Sequence, residues 1–123
     1  MTRIKVSATE GLEITEQHGD QDSVLRLRGR LNIDSSPELR DRLLATLRAE
    51  SPKAVIVDLT DVTYIDSSGI ATLIEGLKVA GKRQTTLRLQ GLHDRLLHLF
   101  QVTGVLTLFE SGLGSASSES KVS

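Results

Sequence analysis

Serine, histidine and carboxylate side chains are the groups in this chain that could do chemistry. Of the histidines, His93 and His98 lie five residues apart, and that spacing does not direct two side chains at one metal ion from one helix face. The sequence has no Cys, so disulfides, thiolate metal sites and cysteine nucleophiles are excluded. These residues predict neither a metal site nor a resident cofactor.

Ser67 is the serine whose neighbours in sequence are most informative. A triad of Ser67, His93 and a carboxylate is conceivable, because only proximity in space decides whether such groups work together. However, the Gly-x-Ser-x-Gly elbow is absent, and so is a glycine-rich phosphate loop followed by Lys and Ser or Thr. The sequence therefore predicts a protein that is not an enzyme, with a serine hydrolase as the alternative from another class.

The helix that begins near Ser67 is predicted by the spacing of its apolar residues. Positions 70, 73, 74 and 77 are Ile, Leu, Ile and Leu, which places them on one helix face. Asp66 or Ser67 is the expected N-cap, Gly69 lets a partner approach closely, and Gly81 is the expected left-handed stop. A phosphate on Ser67 would lie beside free amides at the positive end of the helix dipole. However, Asp-Ser-Ser-Gly is also typical of a helix start at which these residues cap the helix and have no further function.

The elements around this helix follow from hydrophobic periodicity and turn residues. Alternating residues predict an edge strand or a loose arm over 3–7 and a hairpin over 12–31, and a capping Ser35 followed by Pro37 predicts a helix to about Ala49. Further strands are expected over 53–59, 85–89 and 105–109, and a further helix over 92–100. This order predicts an α/β domain with a mixed sheet, in which an N-terminal hairpin joins parallel strands and helices pack mainly on one side.

The charge pattern gives no reason to expect nucleic acid as a partner. The formal net charge is -1, and the chain has two Phe, one Tyr and no Trp on which bases could stack. Arg26, Arg28 and Arg30 alternate along the outer face of the hairpin. We expect them to pair with Glu13 and Glu16 on the partner strand.

Length and composition predict one domain in the cytoplasm. The 123 residues, 38% of them apolar, suit a single domain over 1–110. Residues 111–123 are rich in Ser and Gly and are expected to be disordered and dispensable for folding. No stretch approaches the ~18 to 20 apolar residues of a membrane span, and the first residues lack the apolar core of a signal peptide. The oligomeric state is left open.

Taken in order, these elements resemble the STAS domain, named for sulfate transporters and anti-sigma factor antagonists. The resemblance spans 11–110, and its most specific part is the apolar run 55–59 followed by Tyr-Ile-Asp-Ser-Ser-Gly-Ile at 64–70. In that family, the first Ser after the Asp is phosphorylated by a partner Ser/Thr kinase that is also the anti-sigma factor. The resemblance therefore implies an anti-sigma factor antagonist that is phosphorylated at Ser67. The residues expected to contact the partner are Asp66, Ser67, Ser68, Gly69, Ile70 and Glu75.

A second class of partner stays open because the first turn of this helix departs from a common pattern of the family. Many antagonists resemble Asp-Ser-Ser-Gly-Leu-Gly, whereas this chain has Ile70 and Ala71, and Glu75 follows on the outer face. The alternative is a soluble STAS accessory subunit that docks on the ATPase of an ABC-type phospholipid transporter. A sulfate transporter itself is not expected, since this sequence holds no membrane helices.

Overall fold

The computed structural model describes residues 3–49 and 52–111. The strands are β1 Arg3–Thr9, β2 Leu12–His18, β3 Asp22–Leu31, β4 Ala54–Ile65 and β5 Thr86–Gln90. The helices are α1 Ser36–Ala49, α2 Ser67–Lys82, α3 Asp94–Val102 and α4 Val105–Ser111. Three consecutive strands are therefore followed by helices and strands that alternate as far as α3, and α4 follows α3 directly.

The strands form one five-stranded sheet in the order β1-β2-β3-β4-β5. The pairs β1–β2 and β2–β3 are antiparallel, whereas β3–β4 and β4–β5 are parallel. The turn between β1 and β2 consists of Glu10 and Gly11, whose φ angles of 39° and 85° are both positive, as in a type I′ hairpin turn. The mixed sheet confirms the predicted α/β class.

The core lies between one face of the sheet and the helices. Helices α1 and α2 contact each other, and α2 contacts β4 and β5. On the opposite face, Arg26, Arg28 and Arg88 are exposed, so the helices pack mainly on one side as predicted. The buried apolar side chains of the sheet include Leu12, Ile14, Leu25, Leu27, Val55, Val57 and Leu87.

Residues 105–109 are helical, so the prediction of a last strand there was wrong. Helix α4 follows Gly104, which has a φ of 79°. Val105 is buried, and Leu108 and Phe109 are partly buried against the core. Apolar residues at i, i+3 and i+4 can bury one stripe as a helix, and a helix needs no strand beside it to satisfy its backbone.

Gly81 lies inside α2, so its prediction as the helix stop was also wrong. The residue that takes the left-handed conformation is Gln84, with a φ of 59°. Its amide donates to the carbonyl of Gly81 at 3.2 Å, and the amide of Thr85 donates to that of Ala80 at 2.9 Å. These two bonds form a Schellman motif that closes the helix without a glycine at its left-handed position.

Strand β4 runs to Ile65 and does not end near Leu59 as the apolar run indicated. Its extension pairs with β3, whereas its pairing with β5 stops at Asp58 and Gln90. At this point the Asp58 Oδ1 accepts hydrogen bonds from the Thr60 amide at 2.9 Å and from the Thr60 hydroxyl at 2.6 Å. The long strand thus carries the chain past β5 to the start of α2.

Two further predictions from the sequence concern membrane-spanning helices and the C-terminal tail. Within residues 3–49 and 52–111, no helix is long and apolar enough to cross a membrane. The predicted tail began at Ser111, which instead ends α4. The rest of that predicted tail, residues 112–123, lies outside the described residues.

Candidate functional site

One carboxylate holds the start of α2. Asp66 is the N-cap residue, and its Oδ1 accepts hydrogen bonds from the amides of Ser68 at 2.9 Å and Gly69 at 3.2 Å. Amides in the first turn of a helix have no carbonyl partner within the helix, so a capping oxygen stabilises them. Of the two N-cap residues that the sequence allowed, Asp66 takes this role and Ser67 does not.

The second oxygen of Asp66 binds a different segment. Its Oδ2 accepts a hydrogen bond at 3.2 Å from the amide of Ile33, in the loop between β3 and α1. The Ile33 side chain is 68% exposed. An exposed apolar side chain linked to the helix start is a surface that a protein partner can cover. Sequence reasoning missed Ile33, whose signal is an apolar residue within the polar turn Asn-Ile-Asp-Ser.

Ser67 is the first residue of α2, and it is exposed. The free amides that were expected beside it are not free, because Asp66 occupies those of Ser68 and Gly69. A phosphate on Ser67 would be stabilised by the helix dipole, but it would also lie next to a carboxylate. Phosphorylation would therefore concentrate negative charge at this surface.

Gly69 allows α2 to approach the ends of β3 and β4. A Cβ at this position would lie 2.7 Å from Cγ of Leu31 and 2.8 Å from Cγ1 of Ile65. Both of these residues and Gly69 itself are buried. The side chains that approach Gly69 therefore belong to the same domain. This corrects the expectation that a partner protein approaches there.

Ile70 and Glu75 are the remaining predicted contact residues on α2. Ile70 is half-buried and packs against the core, so part of its side chain faces outward. The Glu75 carboxylate accepts hydrogen bonds from Nε and Nη2 of Arg40 on α1, at 2.8 and 2.7 Å. These bonds outweigh partial burial and hold the pKa of Glu75 below its usual value. A partner would therefore meet an ion pair here and not an isolated acid.

A second Asp-Ser-Ser tripeptide, residues 34–36, has a different environment. The Ser35 side chain is 0% exposed, and its hydroxyl donates to the Arg30 carbonyl at 2.8 Å. The same oxygen accepts a hydrogen bond from the Asn32 amide at 3.0 Å. The expected capping hydroxyl therefore binds the end of β3, and no kinase could reach it in the folded domain.

A serine, a histidine and a carboxylate do meet, at a place that the sequence did not indicate. His18 lies 2.9 Å from the Ser23 Oγ through Nδ1 and 3.0 Å from a Glu16 oxygen through Nε2. Ser23 and Glu16 are each 2% exposed, and Glu16 also forms an ion pair with Arg42 of α1. A substrate cannot reach this hydroxyl, so the cluster ties α1 to the sheet. Glu16 was expected on the arginine face, and that expectation was wrong.

The two remaining histidines lie on a groove between the end of β4 and α3. The groove has a volume of about 1060 Å³, and His93 and His98 line it together with Val62, Leu99 and others, but Ser67 does not. The triad that the sequence left open is therefore not assembled around Ser67. Among the described residues, no group of three or more His, Asp and Glu side chains could hold a metal ion.

Comparison with known proteins gives the family. A family profile described as "Mlab, STAS domain" matches residues 14–110. The anti-sigma-B factor antagonist of Listeria monocytogenes is 30% identical over 99 residues, which are 80% of this chain and 85% of that protein. The chain therefore belongs to the STAS domain family.

Solved structures agree with this assignment. The crystal structure of an anti-sigma factor antagonist from Mycobacterium paratuberculosis is 25% identical with a TM-score of 0.68, and covers 84% of this chain and 86% of that one. A sulfate transporter family protein from Wolinella succinogenes is 28% identical with a TM-score of 0.61, over 72% of this chain and 70% of that one. The fold is therefore shared by relatives whose names point to two different processes.

Proposed function

We propose that this chain is an anti-sigma factor antagonist, a non-enzymatic binding regulator that is switched by phosphorylation of Ser67. In this proposal a Ser/Thr kinase, which is also the anti-sigma factor, binds the chain and phosphorylates it. The observation that carries the proposal is the exposed Ser67 at the first position of α2, directly after its capping Asp66. The name of the Listeria relative supports the class of partner.

The surface around Ser67 suits a protein partner. Ile70 follows Ser67 by three residues and so lies on the same side of α2. Ile33 is exposed and joined to Asp66 by a hydrogen bond. These two apolar side chains near a small hydroxyl form a surface that a partner can desolvate at low cost. Further along α2, the pairing of Glu75 with Arg40 leaves no unmatched charge at that position.

Phosphorylation would act on this interface by charge. It adds about -1.5 to -2 charge units beside Asp66, where the partner must exclude water. Repulsion and desolvation of ~2 to 3 kcal/mol correspond to a loss of affinity of roughly thirty-fold to more than a hundred-fold. A change of that size is sufficient to release one partner in favour of another.

The test is binding of the purified chain to an anti-sigma factor kinase from the same organism. Ser67→Glu, which adds one negative charge where a phosphate adds nearly two, should weaken binding by roughly tenfold, whereas Ser67→Ala should keep most of the affinity. Thr107→Glu is the matched control, because it places the same charge at an exposed hydroxyl position on α4. Equal affinities of Ser67→Glu and Ser67→Ala would contradict the switch.

The phosphorylated residue can be identified directly. Incubation with the kinase and ATP, followed by peptide mass spectrometry, should place the phosphate on Ser67 and not on Ser35 of the second Asp-Ser-Ser tripeptide. The reason is that Ser35 is buried and its hydroxyl is bound to backbone groups. Modification of both tripeptides in the folded chain would show that exposure does not select the site.

A second candidate function is an accessory subunit that binds the ATPase of an ABC-type phospholipid transporter. It is favoured by the Ile70–Ala71 turn of α2, where the chain departs from the common antagonist pattern. The same binding assay separates the two candidates when both kinds of partner are offered. Tight binding to the ATPase, unchanged by Ser67→Glu, would favour the accessory subunit.

A further inference from the structure

Strand β1 is an edge strand with an open outer side. It pairs with β2 over its whole length in one continuous register, and in the described part of the chain no strand lies on its other side. Its outer amide and carbonyl groups are therefore available to another strand. A Pro would have prevented such pairing, and residues 3–9 include none.

The same strand exposes a row of apolar side chains. Ile4, Val6 and Ala8 lie opposite Gln17, Thr15 and Glu13 of β2, on the face of the sheet that α1 and α2 do not cover. Ile4 is 67% exposed and Val6 is 58% exposed. An open strand edge beside exposed apolar side chains favours pairing with a second strand of similar character.

We propose that β1 pairs antiparallel with β1 of a second copy of this chain, about a two-fold axis at Val6. Such an axis stands perpendicular to the sheet, so the two copies place their helices on the same side. Val6 then faces Val6 of the partner copy, and Ile4 faces Ala8. The two sheets become one continuous sheet with an apolar row across the join.

Charge and the number of paired residues favour a two-fold axis at Val6 over an axis at Lys5 or Ser7. A two-fold axis at Lys5 would place two ammonium groups directly opposite each other, which is unfavourable. An axis at Ser7 would pair positions 5–9 alone. The axis at Val6 pairs all of positions 3–9 and sets Lys5 against Ser7, so β1 is complementary to itself in that register.

The expected dimer is weak. Stable dimers bury roughly 1,200 to 2,000 Å² in total, and one strand edge with three small apolar side chains from each copy covers less. We expect a dissociation constant of roughly 1 to 10 micromolar. Strands β2 and β3 separate β1 from β4, which leads into α2, so dimerisation leaves Ser67 open. The inference therefore does not depend on the proposed function.

Single cysteines test the register, because the chain has none of its own. Opposite residues in antiparallel strands have Cα atoms about 4.5 to 5.5 Å apart, within the range of a disulfide. Val6→Cys should therefore form a disulfide-linked dimer on oxidation. Ile4→Cys is the matched control, since its two copies would lie roughly 13 Å apart along the strands. Equal rates for these two variants, or faster linking by Ser7→Cys, would overturn the register.

Sedimentation equilibrium tests the association itself. Val6→Lys and Val6→Glu should each weaken dimerisation by roughly tenfold or more, and an equal mixture of the two should restore it by pairing opposite charges at the axis. Ile33→Lys, at another exposed apolar residue, should have no effect. Circular dichroism should show an unchanged fold for all variants, as expected for exposed positions. A chain that stays monomeric at several hundred micromolar, well above that dissociation constant, would overturn the proposal.

Discussion

Asp66 performs two structural tasks with one side chain. Its Oδ1 caps the first turn of α2, and its Oδ2 holds the Ile33 amide of the preceding loop. Hydrogen bonds to an ionised carboxylate are stronger than those between neutral groups. The position of Ser67 therefore depends on the residue before it more than on its own contacts.

Asp66→Ala should destabilise the domain by about 1 to 2 kcal/mol, because both the cap and the loop contact are lost. The matched control is Asp34→Ala in the second Asp-Ser-Ser tripeptide, where the aspartate is exposed. That change should cost less than about 0.5 kcal/mol. Urea denaturation of both variants at neutral pH gives the comparison, and equal losses would contradict the role of Asp66.

Gly69→Ala should cost about 1 to 3 kcal/mol, because the added methyl group would lie closer than van der Waals contact to two buried side chains, those of Leu31 and Ile65. The loss should appear as a lower midpoint of thermal unfolding. Ser68→Ala, one residue earlier, adds no atom and should change stability by less than about 0.5 kcal/mol. A stable Gly69→Ala variant would show that α2 can shift away from the strands.

For single residues, the sequence predicted which residues form the site but not which of them are exposed. Two identical Asp-Ser-Ser tripeptides both read as helix starts, yet Ser67 is exposed and Ser35 is sealed against β3. Local propensity is the same for both, so tertiary packing decides which hydroxyl faces water. The same holds for Glu75, whose pairing with Arg40 joins two helices that are distant in sequence.

Among the elements, β4 is the one that positions the site. It continues past β5, and its pairing with β5 ends at Asp58. Burial alone would raise the pKa of Asp58, but hydrogen bonds from Thr60 and the charge of Arg26 outweigh it, so its pKa lies below the usual value. A carboxyl group with a lowered pKa in the folded state stabilises the fold when it is ionised.

The stabilisation by Asp58 should therefore depend on pH. It is fully present above pH ~4, the ordinary range for aspartate, and is lost as the pH falls through the lower pKa of the folded state. Asp58→Asn should cost about 1 kcal/mol at pH 7, and the difference from the unmodified chain should be smaller at pH 3 than at pH 7. Denaturation at both pH values measures this, and a difference that is equal at the two would contradict it.

Sequence reasoning missed three features of these elements: helix α4, the stop of α2 and the buried position of Glu16. A short apolar run such as 105–109 satisfies both the strand and the helix pattern, and what decides for α4 is the packing of Val105, Leu108 and Phe109 against the core from one helix face. The stop of α2 at Gln84 depends on backbone bonds that many residues can make. Glu16 follows the same alternation as Leu12 and Ile14, so the inward position was visible in the pattern. The ion-pair partner of Glu16, Arg42 on α1, could not be read from that pattern.

For the whole molecule, folding and binding should respond differently to charge at Ser67. Ser67→Glu should leave the free energy of unfolding within about 1 kcal/mol, because the helix dipole favours negative charge at the first position while Asp66 opposes it. Thermal unfolding of the free variant measures its stability, and the result is compared with its loss of affinity for the partner. A large fall in the melting temperature would mean that the binding loss reflects unfolding and not a switched interface.

The shared carboxylate of Asp66 gives this domain a natural spectroscopic probe. Since the same side chain binds the Ile33 amide and the first turn of α2, added charge at Ser67 should alter the Ile33 hydrogen bond across 33 residues of intervening chain. In a nitrogen-15 correlation spectrum, the Ile33 resonance should shift on phosphorylation along with those of Ser68 and Gly69. The state of the serine could then be followed in solution without any label at the serine itself.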